Sequence, residues 1–288
     1  MVTVNLKRVS KTVKKQLVLD ELDLVLEPGQ ISAICTDQPA SAAALFNVVN
    51  GYKPDEGTVY LDDINAYQER KYLGTVVGGL YAQEDPVKKT VQDFFKGELK
   101  HAQGEHLSVA QTLSVAQQLK IDATTRMNDL DVGQQRQLFI LSLVAQELPV
   151  LLLEQPTIGM TDAQATAIWQ LLADYGRKKA ATILFYSTQV PEMQRYADQI
   201  VYLTNGHVSQ IRPLATHDSS DCVVKVTGTG LPVETVDVLG GHFIQETPTY
   251  QEFLYTGAIQ TLLPLLEQSG ITDVRILDAT VADELRVW

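Results

Sequence analysis

Glu154 and Gln155 follow directly on the apolar run Val150–Leu153, a position from which polar side chains could do chemistry. The carboxylate of Glu154 can ligate Mg²⁺. The neutral amide of Gln155 can hold a water molecule but cannot accept its proton at physiological pH. The five histidines form no pair at metal-ligand spacing, and Cys35 and Cys222 lie far apart. We therefore expect no metal site and predict buried free thiols in a reducing compartment.

Strand and helix patterns alternate along the part of the sequence that contains these residues. The predicted strands are VTVNLKRVS, LDELDLVLE, Ile31–Cys35, Thr58–Leu61, Pro149–Leu153, Thr182–Tyr186 and Ile200–Leu203. Helical periodicity is present at Ala40–Asn50, within residues 90–125, and at Gly133–Glu147, Asp162–Tyr175 and Glu192–Ala197. The strand at Pro149–Leu153 is apolar on both faces, as a covered parallel strand requires. This alternation predicts an α/β fold with a mainly parallel sheet.

A second, smaller domain is predicted after the polar linker Leu214–Ser220. Strand and helix patterns follow in the order β-α-β-β-α-β. The segments are Val223–Val226, Pro232–Leu239, Phe243–Glu246, Phe253–Tyr255, Ile259–Gln268 and Val274–Leu277. This order is typical of a ferredoxin-like α+β domain. We predict a first domain over residues 1–213 and a second over residues 214–288.

Composition limits the class of protein. The chain has 288 residues, of which 45% are hydrophobic and 20% charged, and this excludes disorder and collagen-like repeats. No apolar run approaches the roughly 18 residues of a membrane-spanning helix, and the N-terminal residues do not resemble a signal peptide. The net charge is −12, and residues from 216 onward hold 11 acidic and 3 basic residues. The acidic balance of this C-terminal segment disfavours nucleic acid and anionic membranes as its electrostatic partners.

The order of six segments resembles the ATP-binding subunit of ABC transporters over about residues 2–212. The segments are Pro28-Gly29 with Ile31–Cys35, Gly51 with Lys53–Gly57, Gln83 with Thr90-Val91, Leu130–Gln134 with Gln135–Gln137, Leu151–Thr161, and Tyr196–Leu203 with Gly206. They resemble the frame of the phosphate loop, the Q-loop, the LSGGQ signature, LLLDEPTSGLD and the closing strand. The tail ending at Asp283 resembles the extension of bacterial drug- or bacteriocin-type export ATPases. The resemblance implies a P-loop NTPase-like sheet with a helical subdomain at about residues 84–147.

The resemblance places a phosphate loop at Thr36, Asp37, Gln38, Pro39, Ala40, Ser41, Ala42, Ala43 and Ala44. In such a loop a lysine reaches the phosphates and a hydroxyl binds Mg²⁺. Ala42 and Ala43 stand at these positions, Pro39 has no N–H, and Asp37 adds a negative charge. A unit charge pair at 4 Å contributes about 4 kcal/mol at an effective dielectric of 20. We favour an ordinary helix start, with Thr36 or Asp37 as N-cap and Pro39 in the first turn.

The positions that would act on metal and water are also changed. Glu154 stands where the family has the Mg²⁺-orienting acid, and Gln155 where it has the glutamate that polarises water. Thr188 replaces the histidine, Thr161 the acid after Gly159, and Val13 the aromatic residue that stacks on adenine. We interpret the Gln155 amide, the threonine hydroxyls and Val13 as structural groups. No catalytic group is expected to be intact.

The signature segment retains some of the family's residues and has lost others. Leu130, Asp131, Val132, Gly133 and Gln134 keep the glycine and glutamine, but Asp131 replaces the serine that would bind the γ-phosphate. We favour Asp131 as the N-cap of the following helix. Gln83 is either a retained Q-loop glutamine or a solvated loop residue, and both interpretations stay open.

The resemblance implies a degenerate ATP-binding subunit of an exporter, peripheral to the cytoplasmic face of the membrane. Its partners would be a membrane-spanning subunit and a second, competent ATPase subunit, a heterodimer being favoured over a homodimer. ATP and Mg²⁺ are expected to bind weakly or not at all, and no cofactor tightly. Residues 83–125 would contact the membrane-spanning partner, with Phe94 and Phe95 either in that contact or in the core of the helical subdomain. The alternative is a soluble scaffold or regulatory protein on the same fold.

Overall fold

The computed structural model describes residues 1–81, 88–214, 221–228, 230–271 and 273–288. Up to Pro213 the order of elements is β1 (Val4–Val13), β2 (Gln16–Leu26), β3 (Ile31–Cys35), α1 (Pro39–Val49), β4 (Glu56–Leu61), β5 (Ile64–Asn65), α2 (Arg70–Leu73), β6 (Val77–Leu80), α3 (Val91–Leu99), α4 (Val109–Gln118), α5 (Val132–Ala145), β7 (Val150–Glu154), α6 (Asp162–Lys179), β8 (Thr182–Tyr186), α7 (Val190–Tyr196), β9 (Gln199–Thr204) and β10 (His207–Pro213). A 3₁₀ turn, Met127–Asp129, precedes α5.

Two sheets form this part of the chain. One is an antiparallel sheet in the order β2-β1-β4-β5, and the other has the order β10-β9-β3-β8-β7-β6. In the larger sheet every pairing is parallel except that of β10 with β9. The predicted mainly parallel α/β sheet is therefore confirmed. The edge strand β10 was not predicted because it is polar and mostly exposed.

The larger sheet is covered on both faces, which explains its apolar strands. In β3, Ile34 packs with β1, β2 and α1, whereas Ala33 and Cys35 pack on the opposite face with α5, α6 and α7. This alternation follows from the period of two of a strand.

In the smaller sheet, the backbone of β1 approaches β4 so closely at residue 57 that a glycine is required. Gly57 has φ +78°, and a Cβ there would lie 2.1 Å from the carbonyl oxygen of Arg8.

The helical part has a core of its own. Helices α3 and α4 pack with α5, and Phe94 and Phe95 are 3% and 0% exposed in that cluster. The interpretation of these two side chains as core residues is confirmed, and their proposed contact with a membrane partner is wrong. The physical reason is that α3 is an amphipathic helix of nine residues whose apolar face packs against the neighbouring helices.

The C-terminal part forms a third sheet. Its elements are β11 (Cys222–Thr227), α8 (Val233–Val238), β12 (Gly241–Glu246), β13 (Tyr250–Tyr255), a 3₁₀ turn (Ile259–Thr261), α9 (Leu263–Gln268), β14 (Val274–Asp278) and α10 (Val281–Val287). The antiparallel order β12-β13-β11-β14 is the strand order of a ferredoxin-like fold. The single helix predicted over Ile259–Gln268 is divided, because Pro264 is accommodated in the first turn of a new helix. Most of the predicted linker, residues 215–220, lies outside the described residues.

Helix α10, which the sequence did not predict, returns to the first part of the chain. Its Glu284 is 0% exposed and accepts hydrogen bonds from the Tyr202 hydroxyl (2.7 Å) and the Gln194 amide (3.1 Å). Arg212 binds the nearby carboxylate of Asp221 at 2.5 Å and lies 3.7 Å from Glu284. Buried polar contacts therefore join the two parts.

The described ranges contain no helix that is both long and apolar enough to cross a membrane. Both cysteines are free thiols, Cys35 buried and Cys222 half-buried. Burial raises the pKa of the Cys35 thiol far above its ordinary value, so this thiol stays protonated.

Candidate functional site

The predicted site residues meet where three parallel strands end. Because β3, β8 and β7 are neighbours in the parallel sheet, their carboxyl ends lie at one edge. The loops that leave this edge begin at Thr36, Ser187 and Gln155. In parallel α/β sheets such an edge is where ligands bind. The structure thus brings together the phosphate loop, Glu154, Gln155 and the segment of Thr188.

The phosphate loop does not have the cap that the sequence predicted. Helix α1 begins at Pro39, its N-cap is Gln38, and no side chain accepts a cap hydrogen bond. The Thr36 hydroxyl instead accepts a hydrogen bond from the Gln38 N–H at 3.1 Å. The prediction of Thr36 or Asp37 as N-cap is wrong, because Thr36 closes a local turn before the helix starts. The placement of Pro39 in the first turn is confirmed.

The alanine at the lysine position belongs to the core. Ala42 is 1% exposed and lies in the hydrophobic cluster between the two sheets, together with Ala44 and Leu45. A lysine at residue 42 would have to bring its ammonium group out of this cluster. The packing around Ala42 is therefore adapted to a small apolar side chain.

Two carboxylates, those of Glu154 and Asp37, lie near the carboxyl end of β8. Burial raises the pKa of Tyr186 at the end of β8, and the charges of Glu154 and Asp37 raise it further. Both carboxylates therefore act on the same buried hydroxyl. A polyphosphate at this edge would meet two like charges, those of Glu154 and the exposed Asp37.

Gln155 is held by its backbone. It adopts φ +49°, and its N–H donates to the Tyr186 carbonyl at 2.8 Å. Two positions later, the Thr157 hydroxyl donates to the Glu192 carboxylate at 2.6 Å. Glu192 also accepts from the Ser187 hydroxyl (2.5 Å) and the Trp169 indole N–H (2.9 Å). Glu192 therefore connects the loops after β7 and β8. Thr188, the residue at the predicted histidine position, is exposed beside this network.

Arg136 supplies a buried cation beneath the same loop. Its guanidinium donates to the carbonyl oxygens of Glu154 (2.5 Å), Tyr81 (3.1 Å) and Pro156 (3.4 Å) and is 4% exposed. These bonds orient the backbone after β7. Neither Arg136 nor Glu192 carries a sequence signal for this role, because the contacts join positions distant along the chain.

The signature segment begins helix α5 and is capped by Asp131, as predicted. The Asp131 carboxylate accepts from the Gln134 N–H at 2.7 Å, and the Gln134 side chain accepts from the Asp131 N–H at 3.2 Å. This capping box turns the Gln134 amide back onto the cap. A Cβ at Gly133 would lie 2.6 Å from the Gly159 carbonyl oxygen, so a glycine is needed here. Val132 is 60% exposed beside this contact, and Leu130 is half-buried.

Thr161, Val13 and Gln83 are the three remaining positions that the sequence analysis singled out. Thr161 is the N-cap of α6, with a capping box to Gln164, so its structural interpretation is confirmed. Val13 is 38% exposed. It lines a shallow cavity of about 290 Å³ with α1 residues and Tyr52. Gln83 lies outside the described residues. Across the described chain, no group of acidic, histidine and cysteine side chains could hold a metal ion.

The residues at the sheet edge do not fit Mg-ATP. Thr36–Ala44 contains neither lysine nor arginine, the lysine position is filled by a core alanine, and the charges of Glu154 and Asp37 act on Tyr186 at this edge. A phosphate group would find no compensating cation in this loop. We therefore derive no hydrolytic step at this site.

The chain has the fold of the ATP-binding cassette of ABC transporters. A bacterial ABC transporter cassette solved as a dimer, MJ0796, superposes with a TM-score of 0.66 at 22% identity, over 74% of this chain and all of that one. A bacterial Atm1-family ABC exporter with ATP bound gives a TM-score of 0.64 at 16% identity, over 74% of this chain and 38% of the exporter. At these identities the likeness establishes the fold.

Sequence comparison finds relatives among sugar importers. The chain is 23% identical over 239 residues to the ribose import ATP-binding protein RbsA of Streptococcus agalactiae serotype Ia, covering 79% of this chain and 48% of the relative. It is 22% identical over 241 residues to the xylose import ATP-binding protein XylG of Geobacillus kaustophilus, covering 78% and 47%. The chain thus spans about half the length of these curated relatives. No protein-family model matches it.

Proposed function

We propose that this chain is a degenerate ATP-binding-cassette subunit of a membrane transporter, one that keeps the cassette's shape and has lost its own nucleotide site. The observation that carries the proposal is the core packing of Ala42, which fills the lysine position of an otherwise complete cassette fold. Gln155, at the end of β7, offers an amide where a general base would be needed.

The proposal implies partners. A cassette that cannot bind ATP contributes to transport only through a membrane-spanning subunit and a second cassette with an intact phosphate loop. The exposed Val132 and Ile158 lie in the two segments that would meet that second cassette. The direction of transport stays a prediction: the tail resembles that of exporters, whereas the relatives named above are importers.

The test is purification of the full chain with its partners from detergent-solubilised cells. We expect a membrane-spanning protein and a second cassette to co-purify in fixed proportion and the complex to hydrolyse ATP. Replacing the lysine of the second cassette's phosphate loop should abolish hydrolysis. The Gln155→Ala change in this chain should leave hydrolysis unchanged.

Two results would contradict the proposal. If Gln155→Ala abolishes hydrolysis while the second cassette's lysine is dispensable, this chain carries the chemistry. If the chain purifies without a membrane-spanning protein, the scaffold or regulatory alternative is favoured.

A further inference from the structure

A positively charged cavity lies at the beginning of the helical part and shares no residue with the phosphate loop. It measures about 420 Å³ and is lined by Lys88, Lys89, Thr90, Asp93, Arg126 and Asn128. Ligand pockets commonly measure roughly 300–1,000 Å³, so the volume suits a small ligand or a headgroup.

The backbone that carries the cations is fixed. The Met127 N–H donates to the Lys89 carbonyl at 2.8 Å, and Thr90 and Arg126 form an isolated antiparallel bridge. Met127, between Arg126 and Asn128, is 1% exposed in the core of the helical part. The two walls of the cavity are therefore joined by backbone hydrogen bonds, although their charged side chains are exposed.

The charge of the lining is unbalanced. Within the described ranges, Lys88, Lys89 and Arg126 form no ion pair, in a chain whose net charge is −12. Asp93 is the one carboxylate of the lining. It is bound by the Thr90 hydroxyl (3.0 Å) and by Lys96 (3.3 Å), and both lower its pKa. Three cations and one carboxylate leave a formal charge of +2.

Attraction of an anion to this cavity must come from side chains, because the backbone N–H groups at the start of α3 already donate hydrogen bonds within the protein. The N–H groups of Val91 and Gln92 donate to the carbonyls of Thr125 and Ala123, and that of Asp93 donates to the Thr90 hydroxyl. A guanidinium with two ammonium groups and the Asn128 amide is a donor set that suits a phosphate group.

We propose that this cavity binds the phosphate group of an anionic ligand, either a soluble phosphorylated compound or the headgroup of an anionic phospholipid. Both sources present the same oxygens to Arg126 and the two lysines. The binding is independent of the phosphate loop, so it does not rest on the function proposed above.

The test uses the full chain and two probes. Inorganic pyrophosphate is titrated calorimetrically, and co-sedimentation is measured with phosphatidylcholine vesicles that contain or lack phosphatidylglycerol. We expect binding to at least one anionic probe and none to phosphatidylcholine alone. Arg126→Gln and the double change Lys88→Gln/Lys89→Gln should each weaken binding by roughly tenfold or more, since each removes charge-assisted hydrogen bonds. Asp93→Asn should tighten binding a few-fold.

The matched control is Lys14→Gln/Lys15→Gln, an adjacent pair of exposed lysines in the turn between β1 and β2. It removes the same charge and should leave binding unchanged. Circular dichroism and thermal unfolding verify that each variant is folded. Binding of pyrophosphate alone assigns a soluble ligand, and binding of phosphatidylglycerol vesicles alone assigns a lipid. The proposal is overturned if neither anionic probe binds, or if the control weakens binding as much as the double change at the cavity.

Discussion

Asp131 combines two roles that one substitution can separate. Its carboxylate caps α5 through the Gln134 N–H at 2.7 Å, and in the proposed complex it would bring a negative charge towards the second cassette's nucleotide. Asp131→Ser keeps a capping oxygen and removes the charge. We expect ATP hydrolysis by the purified complex to become faster or to show a lower KM, because repulsion of about 1–4 kcal/mol is relieved.

Asp131→Asn is the matched control for the cap. It also removes the charge and caps as well as aspartate, so it should reproduce the gain. Asp131→Ala loses the cap at a cost of about 1 kcal/mol of unfolding free energy. Unchanged or reduced hydrolysis in both the serine and asparagine variants would mean that Asp131 acts only as a cap.

Arg136 should be a major determinant of stability. Its buried guanidinium donates to three backbone carbonyls around the end of β7. Replacing it with methionine leaves these acceptors without their donor, so Arg136→Met should lower the free energy of unfolding by about 2–4 kcal/mol. Urea unfolding measures this, and the exposed Arg126→Gln variant should differ from wild type by less than about 0.5 kcal/mol. A loss below 1 kcal/mol for Arg136→Met would contradict the structural role.

At the scale of elements, α10 makes stability depend on pH. Glu284 faces Asp221, Arg212, Tyr202 and Gln194, and burial raises its pKa from 4.5 to about 7, with the charge of Asp221 adding to the shift. A carboxyl whose pKa is higher in the folded state binds more protons folded than unfolded. Its contribution to stability is therefore complete below about 4.5 and is lost as pH rises through about 7.

The Glu284→Gln variant removes this titration while its amide can still hydrogen bond. The difference in unfolding free energy between wild type and this variant should change in favour of the variant from pH 5 to pH 8, as measured by urea unfolding. Glu267→Gln, on the exposed face of α9, serves as the control and should show no such trend. A difference independent of pH would show that Glu284 is ionised throughout this range.

Helix caps show which local features can be predicted from the sequence alone. The cap at Asp131 was predicted because its capping box is contained within four residues. The cap of α1 was not predicted correctly, because a threonine near the start of a helix can either cap it or close a turn, and Thr36 closes a turn two residues before the N-cap residue Gln38. The hydrogen bonds that Glu284 of α10 accepts were not predicted, because their donors, Gln194 and Tyr202, lie more than 80 residues away in sequence.

At the scale of the whole molecule, the fold class followed from the sequence pattern, whereas the packing of the site did not. Alternating strands and helices predicted the parallel sheet, and the order β-α-β-β-α-β predicted the C-terminal sheet. That Ala42 lies inside the hydrophobic core depends on contacts of α1 with both sheets. These contacts depend on the assembled fold, which the local sequence does not determine.

We propose that this cassette has no functional ATP site, and calorimetric titration of the full chain with Mg-ATP is the direct test. We expect no binding tighter than about 1 mM, which corresponds to less than roughly 4 kcal/mol. The single change Ala42→Lys should not restore binding, because Pro39 and Asp37 remain and the lysine would start in the core. Thermal unfolding should likewise be unaffected by saturating Mg-ATP. Micromolar binding by the wild-type chain would contradict the account.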